Sequence, residues 1–72
     1  MCQYSAHEGY VDDWHLVNLG RFAMGGAGLI ITESTAVQKR GRITHGCPGI
    51  WKDEQIIGHS RIAQFITRTG SI

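Results

Sequence analysis

Three features are scarce in this sequence of 72 residues: long apolar runs, an excess of charge of one sign, and cysteine. The longest apolar run, residues 27–31, is interrupted by Gly28 and is much shorter than a membrane span of about 20 residues. Seven Lys and Arg offset six Asp and Glu, so no overall field attracts nucleic acid or an anionic membrane. We therefore expect neither nucleic acid nor a membrane as a partner.

Cellular location is indicated by the start of the chain and by its cysteines. No basic segment precedes an apolar stretch at the N-terminus, so we expect no signal peptide. Two cysteines, Cys2 and Cys47, do not make a disulfide framework. Their small number favours the reducing cytoplasm.

Glycine is abundant, with ten in 72 residues, and this lowers the stability that so short a chain can reach. Each glycine adds conformational entropy that folding must overcome. A chain of this length buries only about 60% of its unfolded surface. The composition therefore raises the question of whether this is a whole protein or a piece of one.

Apolar residues spaced three and four apart predict two amphipathic helices. The first follows Asp12 or Asp13, either of which can accept a hydrogen bond from the first turn, and Gly25-Gly26 ends it. The second is predicted to begin with Asp53 as its N-cap and to end at Gly70.

The remaining segments favour β-strands. Residues 28–33 are short, β-branched and apolar at successive positions, which is typical of a strand buried on both faces of a parallel sheet. Residues 1–6 predict the end of an earlier strand, and residues 70–72 stand where a third strand should begin. The resulting order is β-α-β-α, which predicts an α/β fold.

Two parallel strands alone would leave open sheet edges and an exposed apolar face. The sequence therefore has the features of one part of a longer protein.

Residues 34–50 predict a long loop, with a short hairpin of residues 36–37 against 42–43. Trp14 is predicted to lie in the core, and Trp51 to act as a hydrophobic staple before the second helix.

Two patterns suggest phosphate binding, but a structural interpretation is favoured for both. The glycines of residues 25–28 follow a helix and precede a strand, which is the reverse of the order in a phosphate-binding loop. Residues 39–42 form a basic cluster in which no aromatic residue alternates with the charges. A solvated loop is the favoured interpretation, with phosphate contact as the alternative.

Metal and nucleophile sites are not favoured. Zinc would need clustered ligands, and no Cys-x-x-Cys pair is present; the scattered candidates are Cys2, His45, Cys47 and His59. A nucleophilic Cys2 with His7 or His15 as its base would lack a group that orients the base. Ligands of parallel βα folds bind beyond the C-terminal ends of strands. This rule directs attention to residues 2–5 and 33–36.

Five segments stand out when they are taken in order. They are Met1-Cys2-Gln3-Tyr4-Ser5-Ala6, Trp14-His15-Leu16, GGAGLIITESTAV at residues 25–37, Gly41-Arg42-Ile43, and Gly49-Ile50-Trp51 followed by Asp53-Glu54. Together they resemble the N-terminal part of the Old Yellow Enzyme family, the NADH:flavin oxidoreductases. The bacterial branch with a cysteine near the flavin is most similar, and the resemblance covers essentially all 72 residues.

This resemblance implies a TIM (β/α)8 barrel with FMN at the C-terminal face of its strands. Residues 1–5 would end strand one, residues 13–24 would form helix one, residues 28–34 strand two, and residues 53–69 helix two. Residues 1–72 would then be a single N-terminal fragment, about a quarter of a barrel of ~250 residues.

The resemblance also implies an activity. Family members reduce the C=C bond of α,β-unsaturated carbonyl compounds, with NAD(P)H as hydride donor and FMN as carrier. It implies an enone substrate and a homo-oligomeric parent enzyme. Because the phosphate site and the proton donor of the family lie outside these residues, the chain alone is expected to be inactive.

Four residues are assigned to the site by the same resemblance. Met1 and Cys2 would lie against the isoalloxazine ring, and Cys2 would also tune the flavin potential on the substrate side. Tyr4 would line the substrate pocket, so Tyr4 and Cys2 are the expected catalytic residues. Ser34 would contact the pyrimidine edge of the flavin, where relatives usually have alanine, and no metal ligand is expected.

An alternative from another class is a small α/β interaction module. Such a module would have to cover its sheet edges by oligomerising. A discrete folded dimer in sedimentation would support it, whereas aggregated or unfolded chain would support the fragment.

Overall fold

A computed structural model describes all 72 residues, and its regular elements are helical. Helix α1 spans Asp13–Met24 and helix α2 spans Ile56–Arg68, with 3-10 turns at Lys39–Gly41 and Asp53–Gln55. No β-strand forms, and two isolated bridges are the only ladder contacts assigned. Neither helix combines the length and apolarity that crossing a membrane requires.

Helix α1 begins and ends where the sequence predicts. Asp12 is the N-cap, since its carboxylate accepts from the Trp14 main-chain N–H at 3.0 Å. The His15 side chain completes a capping box, because its Nδ1 accepts from the Asp12 N–H at 3.1 Å. Gly25 follows the last turn, and Gly26 takes the left-handed conformation at φ +96°.

Helix α2 has a different start from the predicted one. Asp53 is not its N-cap, because the chain first makes the 3-10 turn Asp53–Gln55. The Gln55 side-chain oxygen accepts from the N–H groups of Trp51 and Lys52, at 2.9 and 3.3 Å. The Gln55 amide therefore fixes the two residues that precede the 3-10 turn, and the helix begins only after that turn. The predicted end is confirmed, with Gly70 at φ +95° after the last turn.

The two predicted strands do not form. Residues 28–34 are irregular, and the expected burial on both faces is wrong, because Leu29 is 61% and Ile31 83% exposed. A buried strand needs main-chain partners on both sides, and this chain offers few. One pair is present: Ile72 donates to the Gly28 carbonyl at 3.1 Å, and Ile30 donates to the Ile72 carbonyl at 2.9 Å. Ile72 thus donates to one residue of the segment and accepts from the residue two positions later. This is the hydrogen-bond pattern of two parallel strands.

The predicted hairpin of residues 36–37 against 42–43 is also wrong. Ala36 instead makes a parallel bridge with Gly49. Its N–H donates to the Pro48 carbonyl at 3.0 Å, and its carbonyl accepts from Ile50 at 2.8 Å. The Trp51 ring lies directly over Gly49, where any Cβ would overlap it. The missing side chain at this position allows the bridge and the folded-back indole to coexist.

The small core lies between the two helices. Ala23, Ile62 and Ile66 are buried there, with four partly buried neighbours: Val11, Leu16, Leu19 and Ile30. Gly20 lets the helices approach, since a Cβ there would lie 2.9 Å from the Phe65 ring. Trp14 is not in this core, contrary to prediction, because it lies on the outer side of α1 and is 43% exposed.

We expect Gln55→Ala to lower the free energy of unfolding by about 1–3 kcal/mol, because it removes a buried side chain that pairs the main-chain groups of Trp51 and Lys52. Gln55 is 1% exposed, and its amide nitrogen also donates to the Glu8 carbonyl at 3.4 Å. Urea denaturation followed by tryptophan fluorescence measures the change. The matched control is Gln64→Ala, an exposed glutamine of α2, which should change the value by less than about 0.5 kcal/mol. Equal losses in the two variants would contradict this role.

Candidate functional site

The ends of the two segments that were predicted as strands lie together. The main-chain N–H of Gln3 donates to Oε2 of Glu33 at 3.0 Å. Met1 and Gln3 line a shallow cavity with Ile31 and Glu33, beside the outer turns of α1. Residues 1–3 and 31–33 therefore share one edge of the molecule, which is the arrangement that a site between two strand ends requires.

The four predicted site residues belong to these two segments or directly follow them, and they differ in exposure. Met1 and Ser34 are exposed, and Ser34 directly follows the Glu33 that contacts Gln3. Tyr4 is 64% exposed, which leaves its hydroxyl accessible, and Cys2 is half-buried. Their proposed roles toward a flavin and a substrate remain predictions.

Tyr4 has a strained backbone. Its φ of +57° lies in the left-handed region, which is unusual for a residue with a bulky side chain. The surrounding contacts hold it there: a Cβ at Gly46 would lie 2.7 Å from the Tyr4 carbonyl group, and the Ala6 N–H donates to the Gly46 carbonyl at 2.9 Å. Strain that neighbouring contacts maintain is a common feature of functional sites.

Cys47 lies in the loop of residues 44–49, which packs on Tyr4 through Gly46. Cys47 is 2% exposed, and its Sγ accepts from the Thr44 N–H at 3.4 Å and lies 3.6 Å from Thr44 Oγ1. The hydrogen bond from the Thr44 side chain is the main cause that lowers the pKa of the Cys47 thiol, followed by the Thr44 main chain. Burial acts in the opposite direction, and side-chain hydrogen bonding with Cys2 lowers the pKa further.

Sequence reasoning missed the environment of Cys47. The local part had a signal, because Thr44 and Cys47 have the spacing of a turn, and the Cys47 N–H donates to the Thr44 carbonyl at 3.1 Å. The packing of this loop on Tyr4 had no such signal, since it joins opposite halves of the chain. His15, which was considered as a base for Cys2, has a structural role instead. Its Nδ1 accepts from the Asp12 N–H and so helps to cap α1.

A cavity of about 310 Å³ lies between α1, α2 and the segment of residues 30–35. Its lining includes apolar side chains of both helices, and buried His15 contributes an Nε2 atom without a hydrogen-bond partner. In an α/β fold, a cavity in this position lies between the helices and the sheet. The side chains of neighbouring strands pack into that space. It is therefore a packing space rather than part of the edge that holds Cys2.

The basic cluster of residues 39–42 and the histidines were the other candidate groups of the sequence. No group of three or more His, Cys, Asp or Glu side chains is placed to hold a metal ion. Arg42, which was expected to lack an aromatic neighbour, lies over the Trp51 ring at 5.5 Å. The Lys52 ammonium lies 5.1 Å from the Tyr10 ring centre, and hydrogen bonding with Tyr10 raises the pKa of Lys52.

Comparison with known proteins identifies the family. The sequence profile of the NADH:flavin oxidoreductase / NADH oxidase family matches residues 1–72. An NADH:flavin oxidoreductase of Gibberella zeae is 51% identical over 65 residues, which are 90% of this chain and 16% of that protein. An NADPH dehydrogenase of Bacillus subtilis is 41% identical over 73 residues, which span 99% of this chain and 22% of that protein.

A second Bacillus protein agrees. The NADPH dehydrogenase of Bacillus cytotoxicus is 44% identical over 68 residues, which span 92% of this chain and 20% of that protein. The chain belongs to the NADH:flavin oxidoreductase / NADH oxidase family, as the resemblance predicted. It spans between 16% and 22% of the length of these relatives.

The Cys47 thiol is expected to ionise below its ordinary pKa of 9.0, because Thr44 stabilises the thiolate. A lowered pKa in the folded chain contributes stability above the unfolded value, and this contribution is lost as the pH falls through the folded value. The measurement is thiolate ultraviolet absorbance against pH in a Cys2→Ser background, where Cys47 is the only thiol. Thr44→Val should raise the midpoint, whereas Thr67→Val, at an exposed threonine of α2, should leave it unchanged. A midpoint at or above 9.0 with Thr44 present would refute the assignment.

Proposed function

We propose that residues 1–72 are the N-terminal β-α-β-α portion of a TIM (β/α)8 barrel enzyme. The enzyme binds FMN, oxidises NAD(P)H and reduces the C=C bond of α,β-unsaturated carbonyl compounds. Family membership supports the oxidoreductase class and the flavin. The observation that carries the site is the Gln3–Glu33 hydrogen bond, because it brings the segments of Cys2 and Ser34 to one edge.

The main-chain contacts of Ile72 support the barrel. A β-strand, a helix and a parallel strand form the repeating unit of such a barrel. Residues 28–30 pair with Ile72 in the parallel manner across α2, which joins them. The exposed Leu29 and Ile31 side chains are those that neighbouring strands and layers of a complete barrel would bury.

The residues at the shared edge fit one side of a flavin ring system. Met1 offers an exposed apolar side chain, Cys2 a thiol, and Ser34 an exposed hydroxyl that can donate to or accept from a pyrimidine edge. When bound, FMN supplies hydride transfer, which none of these side chains can perform. Cys2 tunes the ring electronically through its thiol, and the exposed Tyr4 hydroxyl hydrogen-bonds the substrate oxygen.

The remaining parts of the enzyme lie outside these residues. We infer that the phosphate site and the proton donor lie in the rest of the parent enzyme, since this chain spans 22% of the length of the Bacillus subtilis relative. The parent enzyme is a cytoplasmic homo-oligomer that acts on an enone, and the isolated chain is inactive.

The isolated chain is expected to bind FMN weakly or not at all. Its residues would contact one side of the flavin ring and would leave the phosphate and most of the cofactor in water. Flavin fluorescence and absorbance during titration of the 72-residue chain measure the binding. Riboflavin, which lacks the phosphate, is the matched control ligand and should behave like FMN. A tight yellow 1:1 complex of FMN with this chain would contradict the proposal that the fragment is inactive.

A chimera tests the site itself. The matched residues of the Bacillus subtilis NADPH dehydrogenase, which align with 99% of this chain, are replaced by residues 1–72. The chimera is expected to retain FMN and to oxidise NADPH in the presence of an enone. A chimera that folds without FMN would refute the proposal.

In that chimera, Cys2→Ser is expected to change the flavin reduction potential by about 30 mV, which corresponds to about 1.4 kcal/mol for two electrons. The physical reason is the exchange of a polarisable thiol for a hydroxyl beside the ring. Equilibration with a reference dye measures the potential. Ser60→Ala, on the exposed side of α2, is the matched control and should leave the potential unchanged. An unchanged potential in the Cys2 variant would show that Cys2 does not contact the flavin.

A further inference from the structure

The positive charge of the chain is concentrated in one loop. Residues 34–52 contain four Lys and Arg and no Asp or Glu, whereas the other residues contain three Arg and all six Asp and Glu. This loop therefore has a formal charge of +4 and the rest of the chain a charge of −3, which give the overall charge of +1. The balanced total conceals a local positive field that acts on anions near the loop.

A pocket of about 230 Å³ lies in this loop, and its lining is basic and polar. It is formed by Lys39, Arg40, Arg42, Ile43, Thr44 and His45. No carboxylate contributes to it, and none of its three cations forms an ion pair, because the ion pairs of the chain involve Asp12 and Asp13 instead. The pocket therefore offers positive charge that the fold does not neutralise.

The two guanidinium groups of this pocket are partly fixed before a ligand arrives. Nε of Arg42 donates to the Lys39 carbonyl at 3.1 Å, and the Arg42 guanidinium lies 5.5 Å from the centre of the Trp51 ring. Nε of Arg40 donates to the Gln38 side-chain oxygen at 3.3 Å. Both side chains are thus held at Nε, which leaves their terminal N–H groups free to donate to an anion.

The pocket is connected to the candidate site at both ends of its loop. The loop begins directly after Glu33, whose carboxylate accepts from the Gln3 N–H. At the other end His45 precedes Gly46, where a Cβ would lie 2.7 Å from the Tyr4 carbonyl group. A dinucleotide whose nicotinamide reaches this edge would therefore carry its phosphate groups toward the loop.

We propose that Lys39, Arg40 and Arg42 bind the 2′-phosphate of NADPH and thereby make the enzyme prefer NADPH to NADH. This inference rests on the proposed function, in which a nicotinamide dinucleotide supplies the hydride. It concerns a site separate from that of the FMN phosphate, which we place in the rest of the parent enzyme. It also gives a function to a basic cluster that the flavin site does not use.

The charge of the ligand is the reason for choosing the 2′-phosphate. A phosphate monoester carries a charge of about −1.5 to −2 at pH 7. Each phosphate of the pyrophosphate bridge is a diester and carries a single negative charge. Several neighbouring cations favour the group with the higher charge, and NADH lacks that group.

The kinetic test uses the holoenzyme that carries residues 1–72, either the parent enzyme or the chimera with the Bacillus subtilis NADPH dehydrogenase. Lys39→Gln combined with Arg40→Gln is expected to raise KM for NADPH by about tenfold, because the dianion loses two nearby cations. The same variant should change KM for NADH by less than about twofold, since solvent and salt screen the more distant charges. Equal changes for NADPH and NADH would overturn the proposal.

Two control variants separate charge from structure. Lys39→Arg combined with Arg40→Lys keeps both positive charges and should preserve KM for NADPH. Arg68→Gln removes an exposed cation at the end of α2 and should leave KM for both dinucleotides unchanged. A tenfold loss in the charge-preserving variant, or in Arg68→Gln, would overturn the assignment to this pocket.

Calorimetry tests the pocket without hydride transfer. The probes are 2′,5′-ADP, which carries the 2′-phosphate but no nicotinamide, 5′-AMP, which lacks that phosphate, and inorganic phosphate. We expect 2′,5′-ADP to bind most tightly and to lose about tenfold in affinity in the Lys39→Gln, Arg40→Gln variant. Unchanged binding in that variant, or inorganic phosphate that binds as tightly as 2′,5′-ADP, would overturn the proposal. A holoenzyme that binds 2′,5′-ADP in the expected manner without oxidising NADPH would support the pocket and contradict the proposed function.

Discussion

Extended segments are held in place by main-chain hydrogen bonds to neighbouring segments, and in this chain such bonds form at only a few positions. Gly28 and Ile30 pair with Ile72, and Ala36 pairs with Pro48 and Ile50, but residues 31–35 make no main-chain hydrogen bond with one another or with the rest. The Glu33 carboxylate partly compensates, because it accepts the Gln3 N–H where a neighbouring strand would offer a carbonyl. This shortage explains why sequences typical of strands run here as irregular extended chain.

The same shortage shapes the candidate site. Because no ladder connects residues 1–5 to residues 28–34, their ends are joined by a side chain at Glu33 and by packing of the loop of residues 44–49. Gly46 and Gly49 are the points of closest approach in this loop, one against Tyr4 and the other against Trp51. The same packing accompanies the strained backbone of Tyr4, which lies against Gly46.

Helices were predicted well because their signals are local. Asp12, the apolar spacing after it and Gly25-Gly26 specify α1 within one continuous segment, and the structure confirms it. The start of α2 was misjudged because the chain makes a 3-10 turn at Asp53–Gln55 first, with the Gln55 amide accepting from the Trp51 N–H ahead of it. Trp14 was misplaced because apolar spacing identifies a helix but not which of its large side chains meets the other helix.

The sequence alone determined the family, the two helices and the candidate residues at the ends of two extended segments, since motif order and helix periodicity are written in neighbouring residues. The parallel bridge of Ala36 with Gly49, the hydrogen bonds of the Gln55 side chain and the packing of Gly46 on Tyr4 were decided only in three dimensions. Each of these joins residues by hydrogen bonds or close packing that depend on how the loops fold back. No periodic pattern encodes such contacts, because their partners are set by the shape of the whole chain.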